Sequence, residues 1–330
     1  MQSPFPKSSS SAGGGSIVAS PLPAGGSNLE VMTFQYPLKL ISPAPSSSQL
    51  SVLVFLLSYG GGLVGGDTVK LDVNVRANAK LSLVTQGHTK VFKSPSVDVV
   101  TSQFMNVTVE DGGALCLLPD PVQPFDGSVY SQTQIFKVRS QSSLCVLDWV
   151  TQGRTARGED WSFTSWTGRN EVWLQEAGDD QGKERLLVRD TVILDGNGGH
   201  SGDGLLKDTM QKMGIFGTLI LRGEMMKALG AFFLAEFLVL PRLGSRDFRT
   251  VEAQQRDNDK MSEFEQWRSA RIEKETEDGV LWSVAQVRGC VVVKFSAPAV
   301  EAGRDWIGSM LAKEASIEKH FGNETLMCVK

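Results

Sequence analysis

Side chains that hold transition metals firmly are scarce in this sequence. The 330 residues include four cysteines and three histidines. No two cysteines form a CxxC pair, and no histidine belongs to an HxH or HExxH spacing, so the sequence predicts neither a structural zinc site nor a histidine-clamped catalytic metal. The histidines are isolated, and we expect the cysteines to be buried free thiols, the last of them being the most exposed. These residues are His88, His200, His320, Cys116, Cys145, Cys290 and Cys328.

The sequence also lacks an excess of positive charge. Its 33 lysines and arginines are outnumbered by 37 aspartates and glutamates, for a net charge of -4, which argues against nucleic acid or an anionic membrane as the main partner. The longest apolar run, AFFLAEFLVL, is interrupted by Glu236 and is too short to span a bilayer. Residues 1–28 contain no apolar run of signal-peptide length. We therefore expect a cytoplasmic protein that binds proteins or small solutes.

Alternation of apolar and polar residues dominates the first half of the chain. The segment TVKLDVNV (68–75) has the period of two that is expected of a strand with one solvated face. Similar short runs follow one another over residues 29–194, with turn signals between them, and predict an all-β sandwich, barrel or β-helix. Residues 1–28 are rich in serine, glycine and proline, so we expect a disordered tail followed by a single domain over residues 29–330.

Two helical segments flank this β region in the sequence. Residues 224–240 are apolar over most of their length, and residues 297–321 form an amphipathic pattern. Between them, VLWSVAQVRGCVVVKFS predicts a hairpin that turns at Arg288 and Gly289. Residues 242–278 are dense in both signs of charge, which indicates an insertion in the form of a solvated helix or a partly disordered loop.

A cluster of glycines stands out in the stretch SYGGGLVGGDTVKLDVNV. Such clustering permits tight turns or a very close approach of the backbone. A P-loop would end in Gly-Lys-Ser/Thr and a dinucleotide fingerprint would open a helix, whereas this loop leads into Asp67 and a strand. The sequence therefore predicts a glycine-rich corner between strands. Its glycines are Gly60, Gly61, Gly62, Gly65 and Gly66.

Polar and ionisable residues follow three of the apolar runs. The three strings are TQGHTKVFKS (85–94), LLPDPVQPFDGS (117–128) and DWVTQGRTARGEDW (148–161). Turns that follow strands are the usual place for functional groups on a rigid scaffold. These three turns are therefore the first candidates for a site.

Each string also has an interpretation without a site. Asp120, between two prolines, could form a turn, and Arg154 and Arg157 could make surface ion pairs with the acidic residues that follow them. A lyase or hydrolase would need two carboxylates with pKa values pushed apart, and no GxSxG elbow supports a serine nucleophile. The carboxylates available to such an enzyme are Asp67, Asp120, Asp148 and Glu159.

Taken in order, the strings SYGGGLVGGD, TQGHTKVFKS, LLPDPVQPF, RTARGEDW and GTLILRG resemble the urease accessory proteins of the UreD/UreH family over about residues 30–310. The resemblance implies a mainly β fold, a β-helix-like stack of strands with two flanking helices. It implies a non-enzymatic maturation factor, or nickel-insertion chaperone, for urease. The implied partners are the urease apoprotein, a UreF-type helical accessory protein and a UreG-type GTPase that carries nickel, and an internal tunnel is the implied route of the ion.

The resemblance also suggests roles for residues in the matching strings. Candidates for a transient nickel path are Asp67, His88, Asp120 and Glu159. Candidates for tunnel lining or for support of the motif are Tyr59, Gly60, Gly61, Gly62, Gly65, Gly66, Thr85, Lys90, Arg154 and Arg157. Carboxylate and carbonyl oxygens hold nickel less firmly than clustered imidazole or thiolate does. We therefore expect no tightly bound cofactor, only nickel in transit.

Several alternatives stay open at this point. The chain could be a β-helix-like lyase or hydrolase that uses paired carboxylates and Arg157, or an interaction module without an ion role. The helices at 224–240 and around Trp306 could dock the helical partner or simply pack in the core. The N-terminal tail, the stretch 242–278 and the histidine at position 88 depart from the compact bacterial pattern of the family.

Overall fold

Strands are the most abundant secondary structure of the described residues. The computed structural model describes residues 11–44, 49–176, 183–196, 205–240 and 261–330. The first sheet contains seven strands, in the spatial order β14 (Glu184–Asp195), β13 (Ser165–Gln175), β11 (Val129–Val138), β8 (Thr101–Val109), β5 (Thr68–Val75), β1 (Gly14–Pro21) and β2 (Ser27–Phe34).

The second sheet has ten strands. Eight of them run in the order β16 (Leu281–Val287), β17 (Cys290–Ala297), β15 (Ile215–Arg222), β12 (Ser143–Thr151), β9 (Ala114–Leu117), β6 (Lys80–Val84), β4 (Val52–Ser58) and β3 (Leu38–Ile41). Two short strands, β7 (Thr89–Val91) and β10 (Val122–Pro124), join this sheet beside β12.

The chain coils through the two sheets alternately. From β4 to β13, apart from the short strands β7 and β10, it places a strand in the second sheet and then one in the first, and neighbours within each sheet run parallel. The outer pairs β1–β2, β3–β4, β13–β14, β12–β15, β15–β17 and β16–β17 are antiparallel. This coil is the β-helix-like stack that the family resemblance implies, and the fold prediction is confirmed.

Two apolar cores hold the sheets in place. The inward positions of strands in the first sheet, such as those of β5, pack against the second sheet in one core. The opposite face of the second sheet packs against helices in the other core. Strand β12 lies between the two cores, and all nine of its residues are buried. A strand covered on both faces reads as a continuous apolar run, which is how SLCVLDWVT appears apart from its one aspartate.

Helix α1 (Leu206–Thr209) packs through Leu206 on the core between the sheets. The helices that cover the outer face of the second sheet are α2 (Lys227–Leu238), α3 (Glu263–Glu277), α4 (Val300–Glu314) and α5 (Ser316–Phe321). Phe233 of α2 and Trp306 of α4 are buried in the second core, where their rings lie 6.3 Å apart. These two side chains therefore pack in the core of this chain, whereas Leu238 at the end of α2 is exposed.

The N-terminal region differs from the prediction of a disordered tail. Residues 14–28 contribute β1 and the start of β2, and Ile17 and Ala19 are fully buried. Strand β1 pairs in parallel with β5, so the short apolar stretch SIVA completes the inward face of the first sheet. The prediction of a disordered tail was wrong for residues 14–28, because it relied on their serine and glycine content and not on the short apolar stretch that forms β1. Residues 1–10 lie outside the described residues.

The charged stretch 242–278 forms a helix where the structure describes it, which is one of the two forms predicted for it. Its described part contains helix α3, which begins with a capping box between Ser262 and Glu265. Arg271 and Glu275 of this helix are buried. Residues 242–260 and His200 lie outside the described residues.

Two local predictions, for the hairpin and for the cysteines, are confirmed. The hairpin turns at Arg288 and Gly289, which adopt φ angles of 47° and 80°, as predicted. All four cysteines are buried free thiols, as expected, and Cys328, at 4% exposure against 0% for the other three, is the most exposed of them. The segment after α5 folds back onto α4, where Gly308 lies against Val329.

Candidate functional site: a polar cavity between the sheets

A cavity of about 220 Å³ lies between the two sheets. Its walls come from β5, β8 and β11 of the first sheet and from β4, β9 and β12 of the second. Of the sequence candidates, Thr85, His88, Lys90, Asp120 and Gly61 line it. A cavity with polar groups on its walls can hold water, and this one is large enough for several molecules.

Thr85 and Asp120 meet at one end of the cavity, which we call the mouth. Strands β6 and β9 are parallel neighbours, so the residues that follow them emerge at the same edge of the sheet. The Asp120 amide donates to Thr85 Oγ1 at 2.7 Å, and Thr85 Oγ1 donates to Asp120 Oδ2 at 3.1 Å. The same carboxylate oxygen accepts from the amide of Gly87 at 2.8 Å, and Asp120 Oδ1 accepts from Arg304 Nη2 at 2.8 Å.

His88 and Cys328 border this mouth. Burial lowers the pKa of His88, the charge of Asp120 raises it, the charge of Arg304 lowers it again, and the net direction is downward. Burial raises the pKa of the Cys328 thiol to about 12, and the nearby Asp120 charge adds to that rise. At neutral pH the imidazole is therefore uncharged and able to bind a cation, whereas the thiol keeps its proton and donates to the Thr85 carbonyl at 3.2 Å.

A second carboxylate, Asp148 of β12, faces the interior of the cavity. Its Oδ1 accepts from Gln132 Nε2 at 2.9 Å, and its Oδ2 accepts from Asn170 Nδ2 at 2.6 Å. Gln134 Nε2 in turn donates to Asn170 Oδ1 at 3.0 Å. Burial raises the pKa of Asp148, and the two amide donors offset only part of that rise.

The row of polar side chains continues beyond the cavity toward β15 and β17. Thr218 is the register neighbour of Asp148, and Lys294 is the register neighbour of Thr218. Asp190 of β14 accepts from Thr218 Oγ1 at 2.9 Å and from Lys294 Nζ at 2.6 Å. The Lys294 side chain is 38% exposed, so this end of the row reaches the surface. Polar side chains thus extend from the cavity wall at Asp148 to a second surface position at Lys294.

The glycine-rich corner packs beside the mouth. Gly60, Gly61 and Gly66 have φ angles of 70°, 77° and 91°, a region that favours glycine. A Cβ at Gly62 would lie 2.8 Å from the Lys90 carbonyl oxygen and 2.5 Å from the Phe92 ring. Because the backbone approaches β7 so closely here, the corner fits the predicted need for tight turning and close contact.

Of the five glycines of this corner, Gly61 alone lines the cavity, and Gly65 and the carboxylate of Asp67 lie away from it. A Cβ at Gly65 would come within 2.7 Å of Pro95 Cδ. Asp67 Oδ2 accepts from the Val64 amide at 2.8 Å and so caps the turn, and neither residue is among those that line the cavity. Tyr59 is exposed, with Lys39 Nζ 5.5 Å from the centre of its ring.

Arg154 and Glu159 form an ion pair away from the cavity lining. The guanidinium also stacks 3.8 Å from the centre of the Phe125 ring. Burial alone would raise the pKa of Glu159, but hydrogen bonds from the Arg154 side chain and backbone lower it, and the net direction is downward. Arg157 is exposed. For Arg154 and Glu159 the geometry agrees with the ion-pair interpretation, and their role in an ion path stays a prediction.

Several polar groups of the cavity were not identified from the sequence. Gln132 and Gln134 occupy buried positions of β11. The string SQTQ could have indicated them, because its two glutamines alternate in step with the apolar residues that follow and so take the inward-facing positions of the strand. Arg304 offers no such signal, since it reaches Asp120 from 184 residues away along the chain. Sequence strings cannot indicate that kind of contact.

Within the described ranges, no group of three or more histidine, cysteine, aspartate or glutamate side chains is arranged to hold a metal ion. In the same part of the chain, no helix combines the length and the apolar character needed to cross a membrane.

Comparison with known proteins gives a consistent result. The family model described as UreD urease accessory protein matches residues 15–326. The chain is 33% identical over 298 residues to the "Uncharacterized urease accessory protein ureD-like" of Schizosaccharomyces pombe, with 88% of this chain and 90% of that protein covered.

Two further relatives carry similar names. Urease accessory protein 4 of Cryptococcus neoformans var. grubii is 30% identical over 309 residues, with 84% of this chain and 83% of that protein covered. Urease accessory protein UreD of Sorangium cellulosum is 36% identical over 231 residues, with 70% and 66% covered. The family expected from the ordered strings is confirmed: the chain belongs to the UreD family of urease accessory proteins.

Proposed function

We propose that this protein is a non-catalytic maturation factor that helps to deliver nickel to the active site of urease. Membership of the UreD family supports a role in urease maturation. The finer steps are our proposal: the chain binds the urease apoprotein together with a UreF-type helical protein, and a UreG-type GTPase supplies the nickel. The cavity between the sheets is the route of the ion.

One observation carries the proposed route. Two carboxylates, Asp120 and Asp148, line one cavity of about 220 Å³ between the two sheets. Oxygen ligands hold nickel less tightly than imidazole or thiolate clusters, and the amide oxygens of Gln132 and Gln134 belong to the same weak class. Nickel that keeps part of its hydration shell could therefore enter and leave, as delivery requires.

The lyase or hydrolase alternative gains little support from this geometry. An acid–base pair needs one carboxylate free to take a proton from a substrate. Both oxygens of Asp148 accept amide hydrogens, and both oxygens of Asp120 accept hydrogen bonds, one of them from a guanidinium. Asp120 and Asp148 are therefore engaged with donors of the chain itself.

The test combines deletion with a charge-neutral variant in cells that contain the other urease proteins. We expect deletion of this chain to leave abundant urease with little nickel. Asp148→Asn keeps the volume of the side chain and removes its charge, and we expect less nickel per urease. The matched control is Asp72→Asn on the exposed face of β5, which removes the same charge outside the cavity and should leave loading unchanged.

The measurements are urease activity, nickel per urease and the cellular amount of each variant. Fully loaded urease in the deletion strain would contradict the maturation role. Normal loading with Asp148→Asn at normal protein level would contradict the route while leaving the maturation role in place.

A further inference from the structure

Arg304 of α4 places a positive charge at the mouth of the cavity. Its Nη2 donates to Asp120 Oδ1 at 2.8 Å, and the side chains of the pair are 30% and 9% exposed. Asp120 Oδ2 accepts hydrogen bonds from Thr85 and Gly87, whereas Oδ1 accepts from Arg304 alone. An incoming cation would therefore bind Oδ1 by displacing Arg304. The inference that follows rests on the proposed function, since it concerns the affinity of the same mouth for its ion.

The contact between Arg304 and Asp120 is made through one nitrogen. The buried Nε of Arg304 has no hydrogen-bond partner among the described residues. By contrast, Arg154 donates to Glu159 through both Nε and Nη2. Two parallel donors make an arginine–carboxylate pair stronger and more fixed in geometry. The Arg304 guanidinium is therefore the easier of the two to displace from its carboxylate.

Glu301 is a second acidic side chain that the Arg304 guanidinium can approach when a cation displaces it from Asp120. Glu301 is three residues before Arg304 on the same helix, a spacing at which side chains on a helix meet. Its charge acts on His88, which lines the mouth. The helix itself is fixed, because Gly303 packs so closely on Ile215 that a Cβ would lie 2.0 Å from the Ile215 Cδ1 atom. Displacement therefore needs only a rotation of the Arg304 side chain.

We propose that Arg304 sets the cation affinity of the mouth. Paired with Asp120, it neutralises the carboxylate and repels a divalent cation, so that the mouth does not hold nickel firmly. A cation enters by displacing the guanidinium from Asp120 Oδ1 and is released when the guanidinium returns. Without Arg304, the mouth would hold the ion instead of passing it on.

The experiment measures Ni²⁺ binding to the purified full-length chain by equilibrium dialysis. Arg304→Gln removes the charge, and Arg304→Met also keeps the aliphatic stem. For both we expect tighter Ni²⁺ binding, with affinity about tenfold or more above that of the unchanged chain, since a like charge next to the ion is lost. Arg304→Lys keeps a positive charge and should bind as the unchanged chain does.

Two controls locate the effect. Adding Asp120→Asn to Arg304→Gln should abolish the gain. Arg154→Gln breaks a pair of nearly the same exposure, 29% and 8%, away from the cavity lining, and should give no gain. Folding of each variant is checked by circular dichroism and thermal melting.

The proposal is overturned if both neutral variants of Arg304 fold and bind Ni²⁺ no tighter, if Asp120→Asn leaves the gain intact, or if Arg154→Gln produces the same gain. Because no urease is present in this assay, its outcome is separate from the outcome of the deletion experiment.

Discussion

Thr85 and Asp120 each donate a hydrogen bond to the other across the ends of two parallel strands. The Asp120 amide lies 2.7 Å from Thr85 Oγ1, and the Thr85 hydroxyl lies 3.1 Å from Asp120 Oδ2. We expect Thr85→Val to lower the free energy of unfolding by about 1–3 kcal/mol, because a buried amide would lose its acceptor. Urea denaturation measures this change.

The control for this prediction is Thr85→Ser, which keeps the hydroxyl and should lose much less stability. Equal losses for Thr85→Val and Thr85→Ser would mean that the methyl group, and not the hydrogen bonds, supports the mouth.

Asp148 makes stability depend on pH in a direction that can be worked out. Burial raises its pKa in the folded state above the usual 3.8, so the folded state binds the proton more tightly than the unfolded state does. Protonation of this residue therefore favours folding, and its contribution falls as pH rises from about 4 through the folded-state pKa. The stability of the unchanged chain relative to Asp148→Asn should decline over that range.

Urea titrations of both proteins at several pH values between about 4 and 7 check this sign. A difference between the two proteins that stays constant over this range, or grows in favour of the unchanged chain as pH rises, would show that Asp148 does not titrate as its burial implies.

Helix α3 is held by buried charges. Glu236 of α2 accepts from Arg268 at 2.7 Å and from Arg271 at 2.9 Å, and Arg271 also pairs with Glu275. Glu236→Gln should destabilise the protein by about 3–5 kcal/mol, since it removes the negative charge between two arginines, one of them fully buried. Thermal or urea unfolding gives the measurement.

The exposed pair of Glu224 and Lys227 provides the comparison. Glu224→Gln should change stability by no more than about 0.5 kcal/mol. If both substitutions have effects of that small size, the charges in the α3 contact contribute no more than a surface pair.

Two glycines of the corner should differ in how much stability the protein loses when they are replaced by alanine. Gly60→Ala places a Cβ in open space but in a left-handed conformation, and should cost about 1 kcal/mol. Gly62→Ala drives a Cβ against the Lys90 carbonyl and the Phe92 ring, and should cost about 1–3 kcal/mol. Equilibrium unfolding of both variants shows which one loses more free energy of unfolding. A larger loss for Gly60→Ala than for Gly62→Ala would contradict the packing argument.

The sequence predicted those features that depend on neighbours along the chain. Alternation marks strands such as β5, and the positive φ angles of Arg288 and Gly289 agree with the predicted hairpin. The strand at residues 14–21 was missed because its stability comes from parallel pairing with β5, which lies more than fifty residues away. The sequence could not show that one face of helix α3 is buried, because Arg271 of that face pairs with Glu236 of another helix.

The same reason limits prediction of the site. Thr85 and Asp120 were among the candidates because each follows an apolar strand, and the parallel order of those strands brings them together. Asp67 and Glu159 fit the same rule, yet their carboxylates bind the Val64 amide and Arg154 instead of facing the cavity. The local sequence pattern identifies carboxylates that follow strands and are therefore candidates for a site. Only the three-dimensional path of the chain decides which of these carboxylates line the same cavity.

The position of the cavity between the sheets also has a mechanical consequence. Backbone hydrogen bonds of the strands around it run within each sheet, from β4 to β12 on one side and from β5 to β11 on the other. A small separation of the two sheets would widen the cavity and loosen side-chain contacts without breaking any backbone hydrogen bond within either sheet. The width of the cavity can thus fluctuate while the amide protons of its walls remain protected from exchange with solvent.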